Sequence, residues 1–128
     1  VIKSTLLVGL GGFVGTVLRY LIGRWTLEMN LTFPWGTFLV NIAGCLLIGC
    51  LAGLIERNQI TSTLTAGILL SGFCGGFTTY SAFALEGFKY LKAQAYLSFL
   101  LYNFSTFLLC LAGVALGFWL TTRLFDIH

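Results

Sequence analysis

The chain has 128 residues, of which 58% are hydrophobic and 9% charged, with a formal net charge of +3. Its mean hydropathy is +0.96, whereas a soluble domain carries about a quarter charged residues. One small core could not hide so much apolar surface from water, and a lipid bilayer is the solvent that fits. One proline and sixteen glycines without collagen-like composition also exclude disordered and triple-helical chains.

The first predicted span is residues 4–23. It is uncharged to Leu18 and then meets Arg19, which must snorkel or face protein or water. Lys3 followed by an apolar run also resembles a secretory leader. No small-x-small cleavage site follows and Arg19-Tyr20 closes the run, so a membrane helix is expected instead. The second span is residues 35–55, with Pro34 at its start and Trp35 as an interfacial anchor. The third is residues 63–85 and the fourth residues 96–122. These three lie within uncharged stretches, each longer than the roughly 20 residues a helix needs to cross a bilayer. The connections hold Glu28 and Asn30, then Glu56, Arg57 and Asn58, then Glu86, Lys89 and Lys92. They are too short for a second domain, so residues 1–128 are expected to form a single all-α, four-helix, multi-pass domain.

With both termini on one side, that side holds Lys3, Arg57 and Arg123, and the other holds Arg24, Lys89 and Lys92, plus Arg19 if it snorkels. Basic residues set membrane orientation, and here they are nearly balanced. Either a weak bias still wins, or both orientations are made. The balance favours the second, dual topology, with an antiparallel dimer as its natural assembly. Every span carries a small-xxx-small pair: Gly11/Gly15, Gly49/Gly53, Gly72/Gly76 and Gly113/Gly117. Four-residue spacing puts each pair on one face, where backbones can approach closely.

Cys45, Cys50, Cys74 and Cys110 all lie in apolar spans without metal-site spacing and read as small packing residues. His128 is the only histidine and is the last residue. With no nucleophile–base pair, metal cluster or phosphate loop, no enzyme is expected. Nor does the sequence call for a nucleic-acid partner.

The third span departs from the rest. Gly75-Gly76 is followed by Thr78, Thr79 and Ser81 halfway through an apolar run. Glycine weakens a helix, and hydroxyls can rebond freed backbone groups. The span is therefore either broken there or intact with a flexible point. A break would offer carbonyl oxygens to a cation and amide donors to an anion. Asn41, about a turn past Thr37, either glues helices together or offers its NH2 to an anion. Arg19 either snorkels or places positive charge at a pore mouth. Tyr102, Thr106 and Cys110 recur every four residues, a stripe that binds neighbours or lines a wet path. Tyr80 and Phe83 are three apart; their electropositive ring edges suit an anion, unless they are simply packing bulk. No acid falls in the middle of a predicted span, so proton-coupled transport lacks its usual carboxylate.

Three segments together match a known pattern: Gly11-Gly12-Phe13-Val14-Gly15 with Arg19-Tyr20; Pro34-Trp35-Gly36-Thr37-Phe38-Leu39-Val40-Asn41; and Gly72 through Phe83. In this order and spacing the sequence resembles the Fluc (CrcB) family of bacterial fluoride channels over nearly its whole length. The resemblance implies an antiparallel, dual-topology homodimer with two fluoride pathways in the bacterial inner membrane, serving fluoride resistance. It implies a structural sodium ion at the dimer centre, held by backbone carbonyls of Gly75 and Thr78. Asn41, Tyr80, Phe83, Tyr102 and Thr106 fall on the family's pore positions and Arg19 on its vestibule arginine. Thr37, Thr79 and Ser81 are further pore candidates. The family usually reads Thr-Thr-Phe-Ser-Thr-Phe where this chain has Tyr80 and Ala82, and reduced throughput is expected from the added and lost hydroxyls. The competing readings are a small multidrug or guanidinium exporter, which needs a carboxylate in the first helix, and a non-transporting membrane assembly protein.

Overall fold

The computed structural model describes residues 1–126; His128, noted above as the only histidine, lies outside the described residues. Within that range all regular structure is helical, in order α1 (Ile2–Glu28), α2 (Trp35–Glu56), α3 (Thr63–Ala66), a π-helical stretch Gly67–Cys74, α4 (Gly75–Phe77), α5 (Tyr80–Lys92) and α6 (Tyr96–Leu124). The pieces from Thr63 to Lys92 form one bent third span. It and the other three long helices are each long and apolar enough to cross a membrane. The chain is thus an all-α protein of four membrane-spanning helices with a bent third span.

The spans run past their sequence-predicted ends wherever those ends were placed at the first charges. α1 continues to Glu28, carrying Arg24 and Glu28 as an exposed i,i+4 pair 4.0 Å apart. α5 continues to Lys92, with Lys89 and Lys92 in its last turn, where the negative end of the helix dipole favours cations. Charges at a span's end are compatible with a helix that outlasts the hydrocarbon. What stops the chain is local. Asn30, Asn58 and Gln94 have φ of 54°, 56° and 58° and stand immediately after the last turns of α1, α2 and α5. A left-handed residue there turns the chain out of the helix, and asparagine tolerates it well. Pro34 caps the start of α2, a position that needs no backbone N–H.

Glycines set the packing. A Cβ on Gly11 would stand 2.7 Å from the Ile68 carbonyl oxygen, and one on Gly72 2.6 Å from that of Val8. Cβ atoms on Gly15 and Gly76 would overlap the carbonyls of Phe73 and Gly12. Thus α1 and the first half of the third span touch backbone to backbone. The same holds where Gly49 of α2 meets the Val114 carbonyl and Gly117 of α6 meets that of Leu46. Such close approach gains dispersion contacts and is the main driving force between helices in lipid, where no hydrophobic effect separates one apolar surface from another. Two pairs result, α1 with the third span and α2 with α6. Many large apolar side chains, among them Leu6, Phe13, Leu101 and Phe104, remain exposed on the outside, as a lipid-facing surface requires.

A broken span and the groove it opens

The break falls at Thr78 and Thr79, whose backbones are extended (φ −87°, ψ 160° and φ −148°, ψ 113°). Gly75 itself is helical (φ −62°, ψ −36°). The unwinding therefore lies two to three residues beyond the Gly75-Gly76 pair that drew attention in the sequence. Gly76 works mainly as a contact point for α1, while Gly75 has only the Leu70 carbonyl, 3.8 Å away, near its open side.

Several backbone groups freed by the break find side-chain partners. The Asn41 side chain meets Thr79 twice: its Nδ2 donates to the Thr79 carbonyl at 3.0 Å, and the Thr79 amide donates to Asn41 Oδ1 at 2.8 Å. Arg19 Nε donates to the Gly76 carbonyl at 3.0 Å, with the Thr16 hydroxyl at 3.4 Å. The Thr78 hydroxyl donates back to the Cys74 carbonyl at 2.9 Å. Thr79 Oγ1 caps the N-terminus of α5 by accepting from the Ala82 amide at 3.2 Å. The carbonyls of Gly75 and Thr78 are among those that lose their helical partners. The Thr79 amide would serve Gly75 in an unbroken helix but goes to Asn41, and the Ala82 amide would serve Thr78 but goes to Thr79. Both residues lie on the same cavity wall. Carbonyl oxygens without helical partners are hard donors of the kind that alkali cations accept, and in donor chemistry Gly75 and Thr78 fit a sodium ion.

That wall belongs to a groove of about 520 Å³. It brings together Asn41 from α2, Gly75 and Thr78 at the break, Tyr80 and Phe83 from α5, and Thr106 from α6. No formally charged side chain lines it. Asn41 keeps one amide proton beyond the one given to Thr79. Thr106 is 5% exposed, and its hydroxyl has no partner. An orphaned buried hydroxyl is costly unless something binds it. The Tyr80 and Phe83 rings lie 5.9 Å apart, and Phe83 lies 5.2 Å from Tyr102. Gly44 makes room for the break, because a Cβ there would overlap the Thr78 methyl group.

A second, smaller cavity of about 220 Å³ lies across the break and gathers Arg19, Arg24, Thr37, Thr79 and Ala82. Ala82 thus faces this basic chamber, on the opposite side from Tyr80 and Phe83. Tyr102 is fully buried, and neither it nor Ser81 lines either cavity. Ser81 sits 3.4 Å from the Thr79 hydroxyl. Beside the polar stripe of α6, Asn103 and Ser105 bond back to carbonyls of their own helix; on the stripe, Tyr102 donates to Glu86 and the Thr106 hydroxyl has no partner.

Sequence reasoning missed one residue. Glu86, assigned to a loop above, is inside α5 and accepts hydrogen bonds from the Thr37 hydroxyl at 2.8 Å and the Tyr102 hydroxyl at 2.6 Å. The predicted end of the third span at residue 85 is corrected accordingly to Lys92, which brings Glu86 inside it. The available signal was its spacing of three from Phe83, which puts it on the same side as that ring in a continued helix.

A family model described as "CrcB-like protein, Camphor Resistance (CrcB)" matches residues 6–118. The chain is 45% identical over 120 residues to a protein of Phocaeicola vulgatus named "Fluoride-specific ion channel FluC", covering 93% of this chain and 98% of that one. A protein of the same name from Rhizobium leguminosarum bv. trifolii is 42% identical over 115 residues, covering 89% and 92%. "Fluoride-specific ion channel FluC 2" of Rhodococcus jostii is 43% identical over 119 residues, covering 93% and 99%.

Proposed function

We propose, from the premise that this chain belongs to the CrcB family, that it is a multi-pass membrane channel that conducts fluoride. The observation that carries the reading is the third span unwound at Thr78–Thr79 beside an uncharged groove of Asn41, Tyr80, Phe83 and Thr106. A small anion leaving water must find hydrogen bonds without falling into a deep electrostatic trap, because conduction needs binding that is also easily reversed. The spare amide proton of Asn41, the orphan hydroxyl of Thr106 and the ring edges of Tyr80 and Phe83 supply such contacts in sequence. Arg19 and Arg24 in the adjoining chamber raise the local anion concentration. Glu86 is engaged by two hydroxyl donors, and its role here is to hold Thr37 and Tyr102 in position.

The working unit is an antiparallel homodimer carrying two pathways. A groove with unpaired backbone carbonyls cannot face lipid, Gly75 has open space beside it, and Tyr80 is 81% exposed in the single chain. A second copy of the same face covers all three, and the balanced basic residues allow it to run the opposite way. The Gly75 and Thr78 carbonyls of the two copies would hold a structural sodium ion, whose positive charge would offset the exposed carbonyl dipoles. The setting is the bacterial inner membrane, where passive efflux removes fluoride that has entered as hydrogen fluoride and ionised inside.

Liposomes loaded with potassium fluoride and carrying the reconstituted chain are expected to release fluoride to an external electrode once valinomycin clamps the potential. Protein vesicles that retain fluoride as protein-free ones do would refute the function. Tyr80→Phe with Ala82→Thr is expected to speed this efflux, since a phenol tip that grips a passing anion leaves the groove and a hydroxyl is restored to the chamber. Equal rates would remove the idea that these two residues slow the channel.

A further inference from the structure

The groove contains a chemistry that anion conduction does not use. Cys45 of α2 packs against α6, its Cβ 3.7 Å from where a Cβ on Gly113 would stand, one turn from Cys110. Cys74 ends the π-helical stretch just before the break. All three line the same groove as Asn41, Tyr80 and Thr106, and all are free thiols. Cys50 is different: its sulfur is packed against Gly117, 3.1 Å from where a Cβ would stand, and it does not line the groove.

We infer that Cys45 and Cys110 form a site for a soft d10 cation, mercury(II) above all, and that its occupation closes the groove to fluoride. Thiolates are soft ligands suited to such ions. Two-coordinate mercury needs only two sulfurs, so the lack of a three-ligand cluster among the described residues is no obstacle. Neutral mercuric chloride crosses lipid and reaches thiols at mid-bilayer. Two mercury–sulfur bonds form, two chlorides depart, and the two thiol protons pass to buffer. The resulting bis-thiolate is neutral, and neutrality is favoured in a medium where an isolated charge is heavily penalised. No oxidant or reductant is involved. The complex ties α2 to α6 on the groove wall and places a bulky metal beside the Thr106 hydroxyl, one turn from Cys110.

The blocking effect rests on the groove being the fluoride route; the binding does not, and two arms keep them apart. In the first, purified protein in detergent is titrated with mercuric chloride while free thiols are counted. Wild type is expected to lose two thiols per mercury, Cys50→Ala to behave likewise with its smaller starting count, and Cys110→Ala to lose the paired stoichiometry. In the second, mercuric chloride is expected to stop fluoride efflux from wild-type and Cys50→Ala vesicles, reversibly with dithiothreitol, and to spare Cys45→Ala and Cys110→Ala. Cys110→Ala retaining both paired titration and block would overturn the assignment, since the site would then be Cys45 with Cys74. Paired titration without block would overturn the closure. Absence of fluoride efflux before any mercury is added would instead sink the channel reading and leave the first arm standing.

Discussion

Asn41→Asp is expected to abolish fluoride efflux while leaving most of the protein folded. The carboxylate can still accept from the Thr79 amide, the 2.8 Å contact, but it cannot donate to the Thr79 carbonyl as Nδ2 does at 3.0 Å. The carbonyl left without its partner costs about 1–3 kcal/mol. The larger effect is on the ion. A unit charge about 4 Å from a passing anion repels it by about 4 kcal/mol at an effective dielectric of about 20. That is about a thousand-fold in occupancy. Two findings would separate the causes. Asn41→Ala removes both contacts without adding charge and should conduct poorly but measurably if it folds, and Asn41→Asp should recover partly at low pH as the carboxyl is protonated. Efflux from Asn41→Asp vesicles within a few-fold of wild type would mean that the anion does not pass this residue, whereas no efflux from any vesicles, wild type included, would favour a non-transporting assembly protein.

The second large effect concerns glycine. Gly15→Ala is expected to lower the apparent melting midpoint in detergent sharply, whereas Gly9→Ala, earlier on the same helix, is expected to leave it unchanged or raise it. A Cβ on Gly15 would overlap the Phe73 carbonyl and stand 2.8 Å from the Phe77 amide nitrogen, backbone on both counts. A Cβ on Gly9 meets nothing within 4 Å. Overpacking costs about 1–3 kcal/mol, while glycine to alanine in an open helix gains up to about 1 kcal/mol. The two variants differ by one methyl group each in the same helix, so helix propensity cannot explain opposite signs. Pushing α1 away also withdraws Arg19 from the Gly76 carbonyl, so Gly15→Ala should lose conduction in whatever fraction survives. Equal midpoints for the two variants would show that α1 does not rest on the third span as described.

The existence of four spans was legible because charge-free stretches of this length have few other uses, and the small-xxx-small pairs marked the contacts at Gly11, Gly15, Gly72 and Gly76. Their limits were less legible. Charges were read as ends, yet α5 carries Glu86, Lys89 and Lys92 within it, because a helix end is fixed by backbone geometry at Gln94 and its neighbours. Gln94, unlike Asn30 and Asn58, is no common left-handed residue, so nothing in the sequence announced that stop. A break in the segment from Gly75 to Ser81 is legible as one of two readings, but not which of its residues unwind. Gly75-Gly76 looks like a weak point by propensity, while the chain opens where partners exist to receive the freed groups: Asn41 for Thr79, Arg19 for Gly76. Such compensation depends on residues some 38 and 57 positions away, which local propensity does not record. The same reasoning explains Glu86, whose two hydroxyl partners come from α2 and α6 and become visible only once the helices are assembled.

The account's central claim is that fluoride passes as an ion through a groove that chloride does not use. A planar bilayer holding the reconstituted chain, with fluoride on one side and chloride on the other, tests it most directly. The account predicts a current whose reversal potential follows the fluoride gradient and ignores changes in chloride. A reversal potential that tracks chloride equally, or fluoride movement that carries no current, would contradict it.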